Sequence, residues 1–152
     1  MVRILFVCHG NICRSPMAEF VFKDLAERAG RAGDFDVASA ATSTEELGNP
    51  VYPPARRKLR EHGIGCAGKT ARQITENDYN RYDLIIGMDG ANMRNMLRFF
   101  GGDPAGKLSL LLDHAGRPGE SVTDPWYSDD FDAAWRDIYD GCDGLFKQLQ
   151  EN

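Results

Sequence analysis

Residues 3–16 read Arg3-Ile4-Leu5-Phe6-Val7-Cys8-His9-Gly10-Asn11-Ile12-Cys13-Arg14-Ser15-Pro16, and the fold turns on how this stretch divides. Residues 3–7, with the continuous apolar run Ile4-Leu5-Phe6-Val7, have the character of a parallel strand covered on both faces. Gly10 and Asn11 interrupt it, and both residue types enter left-handed backbone conformations at low cost. Ser15 before Pro16 predicts a helix capped by the serine, with proline at its first position. Met17, Phe20, Val21, Leu25 and Ala29 follow at helical spacing, and Gly30 closes the segment.

Outward from there, the same two patterns alternate. Residues 36–41 and 108–112 read as strands, and residues 82–88 as the clearest strand after the first. Pro53-Pro54 starts a helix that carries Leu59 and ends near His62-Gly63, and a further helix is expected over residues 89–99. A long polar segment, residues 113–130, precedes a last helix over residues 131–149. Its apolar face is Phe131, Trp135, Ile138, Tyr139, Cys142, Leu145 and Leu149. Strands alternating with helices imply an α/β fold, a parallel sheet with helices on both faces and right-handed crossovers. Ligands of such sheets bind beyond the C-terminal ends of the strands, which is where residues 8–15 fall.

The chain has 152 residues, 42% hydrophobic and 27% charged, as expected for one globular domain spanning 1–152. A net charge of -5 and a pI near 5.2 argue against a general nucleic-acid or anionic-membrane binder, so an anion would need a local site. No apolar stretch has membrane-spanning length, and the first apolar run is too short for a signal-peptide core. The four cysteines, Cys8, Cys13, Cys66 and Cys142, therefore read as reduced thiols of a cytoplasmic protein. Cys66 and Cys142 are expected as buried small apolar side chains. There is no C-x-x-C pair, and His9, His62 and His114 are not at ligand-like spacings, so no metal is expected.

Residues 8–15 suit a dianion. Successive backbone N–H groups in a curled loop form an anion-binding nest, and the following helix adds positive potential. Arg14 can grip two oxygens in a fork. The same field stabilises a thiolate at Cys8 and makes it a nucleophile at neutral pH. Ser15 can donate its hydroxyl to that sulfur. From the loop alone, a plain strand-to-helix turn with two cysteines buried as small hydrophobes stands beside this reading.

Val7-Cys8-His9-Gly10-Asn11-Ile12-Cys13-Arg14-Ser15-Pro16-Met17-Ala18 resembles the N-terminal signature of low-molecular-weight protein tyrosine phosphatases. The likeness continues through Ser39-Ala40-Ala41-Thr42, Ala71-Arg72-Gln73-Ile74, Tyr82-Asp83, Met88-Asp89 and Asp124-Pro125-Trp126-Tyr127, all in family order. The resemblance implies a three-layer fold with a four-stranded parallel sheet, and hydrolysis of phosphotyrosine in proteins without a cofactor. It also implies roles. Cys8 is the nucleophile, Arg14 binds phosphate and Asp124 is the general acid. His9, Gly10, Asn11, Ile12, Cys13 and Ser15 form the phosphate loop, in which Asn11 holds the strained form with support from Ser39. A monomer is the working expectation.

Asp124 also attracts notice unaided, in a polar loop after a strand end and followed by Pro125, although Asp-Pro is as readily a simple turn starter. Trp126 and Tyr127 can wall a cleft for an aryl phosphate, while Tyr127 equally suits surface packing. Two positions depart from the family. Glu45 stands where some relatives place an aromatic opposite the Asp124 loop, giving a negative rim. Lys69 stands where many have histidine, which puts part of the hydrogen-bond network behind Asn11 in doubt.

Thioredoxin-coupled arsenate reductases share this loop and fold but need two neighbouring relay cysteines, and Cys66 and Cys142 are far apart in sequence. Protein arginine phosphatases typically carry threonine where this chain has Ile12, and a methyl-rich side chain suits an aryl ester better than a guanidinium.

Overall fold

The computed structural model describes residues 1–150; the last two residues of the expected 1–152 domain lie outside them. Four strands, β1 (Val2–Cys8), β2 (Phe35–Ala41), β3 (Leu84–Gly87) and β4 (Leu108–Leu110), form one parallel sheet in the order β2-β1-β3-β4. Among the described residues six α-helices accompany them: α1 (Arg14–Arg28), α2 (Pro53–Glu61), α3 (Glu76–Arg81), α4 (Gly90–Phe100), α5 (Pro125–Ser128) and α6 (Phe131–Gln150). None is long and apolar enough to cross a membrane.

β1 is central, and its alternation sorts the two cores. Ile4 and Phe6 face Met17, Val21 and Phe22 of α1 and Ile138, Cys142, Leu145 and Phe146 of α6. Leu5 and Val7 face Tyr82, Ile85 and Met96, with Tyr79 of α3 and Met93 of α4 beside them. Phe22 anchors the first core edge-on to Phe35 and Phe146, with ring centroids 5.1 and 5.8 Å away. Cys66 and Cys142 are buried thiols, as expected, and burial pushes both pKa values up.

Several boundaries differ from the sequence reading, each for a local reason. α1 starts at Arg14, with Cys13 at the cap position, so Ser15 lies inside the first turn and caps nothing. Its hydroxyl is turned to Cys8 instead. Pro16 is still tolerated, because the first N–H groups of a helix lack intrahelical partners. Phe22 and Ala26 are fully buried in α1, whereas Phe20 and Leu25 are only half-buried and Ala29 is exposed. The strand expected over 82–88 is shortened to Leu84–Gly87 and preceded by α3, whose start is fixed by a reciprocal cap between Thr75 and Asp78. β4 stops at Leu110, where the chain tightens into a 3-10 turn, Leu111–Ala115, as the Asp113 carboxylate accepts the Leu110 N–H at 2.9 Å. In α6, Phe146 is buried while Tyr139 is substantially exposed.

Two glycines explain how closely α6 lies on that 3-10 turn. A Cβ at Gly141 would sit 2.4 Å from Leu111 Cγ, and one at Gly144 only 2.0 Å from the His114 carbonyl oxygen. Glycine inside a helix costs about 1 kcal/mol relative to alanine, and here it permits contact between backbones.

Candidate active site

At the C-terminal end of β1 the chain turns through residues 8–15 and enters α1. The loop is tied to its surroundings by main-chain bonds: Thr42 N–H donates to the Cys8 carbonyl at 3.0 Å, and Tyr52 N–H to that of Ile12 at 2.8 Å. Asn11 has φ +58° and is buried. A left-handed conformation costs a residue with a Cβ about 1–2 kcal/mol, less for asparagine. Its side chain offsets that cost by donating from Nδ2 to Ser15 Oγ (2.8 Å) and Ser39 Oγ (3.0 Å) while Oδ1 accepts from Arg72 N–H (3.2 Å). This left-handed turn also directs the Asn11 N–H at Cys8 Sγ, 3.3 Å away.

Behind the loop, Ser39 Oγ donates to Glu19 Oε1 at 2.6 Å. Glu19 is buried and meets Lys23 at 2.5 Å and Lys69 at 3.7 Å. Lys69 also donates to the Ser39 carbonyl at 2.9 Å. The residue expected to disturb this network is thus part of it, standing against both the serine and its acidic partner. Burial pulls the Lys69 pKa below the ordinary lysine value, with Glu19 opposing.

The Cys8 thiol is almost fully buried, 3.0 Å from Ser15 Oγ. Cys13, also buried, has its pKa pushed up by burial first and by the neighbouring Cys8 charge second. Arg14 is 4% exposed and held by three acceptors: NH1 donates to the Val122 carbonyl (3.1 Å), and NH2 to Asp89 Oδ2 (2.9 Å) with Asp124 Oδ2 at 3.4 Å. Burial works against its charge, but Cys8, Asp124 and Asp89 outweigh that and raise its pKa.

Asp124 caps α5, accepting the Trp126 N–H at 3.1 Å with Pro125 at the first helical position. Residues 121–124 have no regular structure, so discrete bonds place them. Val122 N–H donates to the Met88 carbonyl at 2.9 Å. Thr123 donates to Asp137 Oδ2 of α6 from both N–H (2.9 Å) and Oγ1 (3.0 Å).

These groups surround a cavity of about 240 Å³. Cys8, Cys13 and Arg14 contribute to its lining together with His9, Gly10 and Ile12, and Asp124, Trp126, Tyr127 and Glu45 also line it. Trp126 packs on Tyr52, ring centroids 4.9 Å apart, while Tyr127 is 86% exposed. His9 Nε2 and Glu45 Oε2 lie 3.0 Å apart. Asn11, Ser15 and Ser39 support the loop from behind without lining the cavity. Two residues absent from the sequence reading of the site belong here. Glu46 lines the cavity close to Gly10, where an added Cβ would sit 3.3 Å from Glu46 Cγ. Asp89, whose place just past a strand end was the available signal, holds Arg14.

A cysteine at the end of a parallel strand, with a loop N–H at its sulfur, a buried arginine beside it and a carboxylate in the same cavity, is an arrangement suited to a phosphate dianion. Residues 3–152 match the profile of the low molecular weight phosphotyrosine protein phosphatases, and the chain belongs to that family. It is 37% identical over 152 residues to the low molecular weight protein-tyrosine-phosphatase YfkJ of Bacillus subtilis, covering 99% of this chain and 97% of that one. The crystal structure of YfkJ superposes with a TM-score of 0.95 over 99% of this chain and 96% of the other. The low molecular weight protein tyrosine phosphatase SP-PTP of Streptococcus pyogenes gives 0.87 at 35% identity over 98% and 93%. A Drosophila arginine phosphatase gives 0.85 at 29% identity over 96% of each chain. The protein is a phosphotyrosine protein phosphatase, a phosphoric monoester hydrolase.

Proposed function

We propose that Cys8, Arg14 and Asp124 carry out this hydrolysis through a cysteinyl-phosphate. The Cys8 thiolate attacks phosphorus; the S–P bond forms as the bond to the tyrosyl oxygen breaks, and that oxygen takes a proton from the Asp124 carboxyl. Water then attacks the phosphocysteine, Asp124 takes its proton, and the S–P bond breaks to return a thiolate that accepts the Ser15 hydroxyl. Arg14 and the loop N–H groups neutralise the phosphoryl oxygens throughout. The observation that carries this reading is the sulfur of Cys8, 3.0 Å from Ser15 Oγ and 3.3 Å from Asn11 N, in a cavity it shares with Arg14 and Asp124.

Phosphotyrosine-containing proteins in the cytoplasm are the proposed substrates. Trp126 and Ile12 offer apolar surface to an aryl ester. Likeness to an arginine phosphatase at the level of the fold makes phosphoarginine the second reading, which Ile12 disfavours because it gives a guanidinium no polar partner. Burial of Cys66 and Cys142 favours hydrolysis over a disulfide relay, which needs accessible thiols. A panel of phosphotyrosine, phosphoserine and phosphoarginine peptides is the test. Turnover of the first alone is expected, and a preference for phosphoarginine overturns the assignment.

A further inference from the structure

The segment that delivers Asp124 is held from the far end of the chain. Asp137 lies in the second turn of α6, its side chain 14% exposed and outside the cavity lining. One carboxylate oxygen accepts both Thr123 donors, at 2.9 and 3.0 Å, and the other accepts Arg117 NH1 at 3.0 Å. Arg117 also donates from Nε to Glu120 at 3.3 Å, so one carboxylate gathers both ends of residues 117–123. Thr123 is the residue before Asp124, and residues 121–124 have no ladder bonds to fix them. Removing the Asp137 carboxylate leaves Thr123 without its anchor, while the bonds of Val122 to Met88 and to Arg14 remain.

We infer that Asp137 is a positioning residue for the proton donor, setting where the Asp124 carboxyl sits relative to the leaving oxygen. The inference rests on the proposed role of Asp124 as acid. Proton transfer needs hydrogen-bond reach, and a misplacement of about 1 Å can cost on the order of 10²-fold. The loss must fall on substrates that need the proton. A tyrosyl oxygen, whose conjugate acid has a pKa near 10, needs it most; p-nitrophenolate is a much weaker base and needs it less. A carboxylate that only stabilised the fold would slow both substrates alike.

The experiment compares single-turnover phosphoenzyme formation from a phosphotyrosyl peptide and from p-nitrophenyl phosphate in Asp137→Ala, Asp137→Asn and Thr123→Val, with Asp124→Asn as reference. Asp137→Ala is expected to lose roughly tenfold with the peptide and less than about threefold with p-nitrophenyl phosphate, with KM little changed. Asp137→Asn, which retains one carbonyl acceptor, and Thr123→Val, which keeps the backbone bond, should show smaller losses with the same selectivity. If Asp137→Ala does not fold, these two decide. Equal losses on both substrates, or none, overturn the inference. If Asp124→Asn itself shows no leaving-group selectivity, the acid assignment fails instead, so the two failures are distinguishable.

Discussion

The two halves of the site are built in opposite ways. Around the Cys8 sulfur the contacts are local: Asn11 reaches Cys8 and Ser15, and Ser15 reaches Cys8, all within seven residues, while Thr42, Tyr52, Ser39 and Arg72 brace the loop from outside. Residues 117–128 lie mostly at the surface and are held by partners scattered along the chain, among them Met88, Arg14, Asp113 and Asp137. A nucleophile that must be a stabilised anion needs a dense, pre-formed field, which a short loop between a strand and a helix supplies. A proton donor must meet a leaving group outside that loop, and its position is inherited from packing elsewhere. Chemistry encoded locally therefore sits beside chemistry encoded at long range.

The sharpest way to break this contrast is at the thiol. Cys8→Ser should abolish turnover, a loss of about 10⁴-fold or more since no covalent route remains, while phosphate-analogue binding stays measurable by calorimetry; hydrolysis near the wild-type rate would refute the mechanism. Asp124→Asn should slow phosphoenzyme formation from phosphotyrosine by roughly 10²–10⁴-fold, and Asp129→Asn much less, in parallel stopped-flow measurements. Gly144→Ala attacks the long-range half, because its Cβ would fall 2.0 Å from the His114 carbonyl oxygen and force α6 away from the 3-10 turn. A loss of about 3 kcal/mol in denaturant unfolding is expected, and surviving folded protein should lose phosphotyrosine turnover more than phosphate affinity. Asn11→Ala attacks the local half: it deletes three hydrogen bonds and strains a φ of +58°, so about 2 kcal/mol and most of the phosphate affinity should go together.

The smallest effect is a pH dependence. Burial places the Lys69 pKa in the folded protein below its unfolded value near 10.4, so between these values the unfolded chain binds more protons. This residue's contribution therefore makes stability rise with pH through that window, as the cost of burying its charge is relieved. Urea midpoints measured against pH should climb relative to Lys69→Met across it; parallel curves would show that Lys69 does not titrate differently on folding.

Legibility in the sequence follows the same division. Residues 3–7 announce a buried strand because a doubly covered parallel strand has no polar face to display. Gly10 and Asn11 mark the loop; Asn11 is left-handed as expected, whereas Gly10 has no positive φ and instead gives room to Glu46. Ser15 reads as a cap from its place before proline, yet the helix begins a residue earlier and frees the hydroxyl for Cys8. Met88-Asp89 is visible as a motif, but the hold of Asp89 on Arg14 is not, because it depends on β3 lying beside β1, a fact of sheet order rather than of neighbouring residues. Asp137 is less visible still: on a helix rich in acidic residues, nothing in its neighbours separates a solvent-facing carboxylate from an anchor 14 residues beyond Thr123.

α6 is the last element in chain order, and it carries both the anchor of the acid segment and Ile138, Cys142, Leu145 and Phe146 of the core. The inferred tether of the acid segment is therefore built into the same helix that closes this core. If Asp137 places the donor as inferred, undocking α6 costs the enzyme its aligned acid together with one face of its core, so activity and the cooperative fold should be lost together.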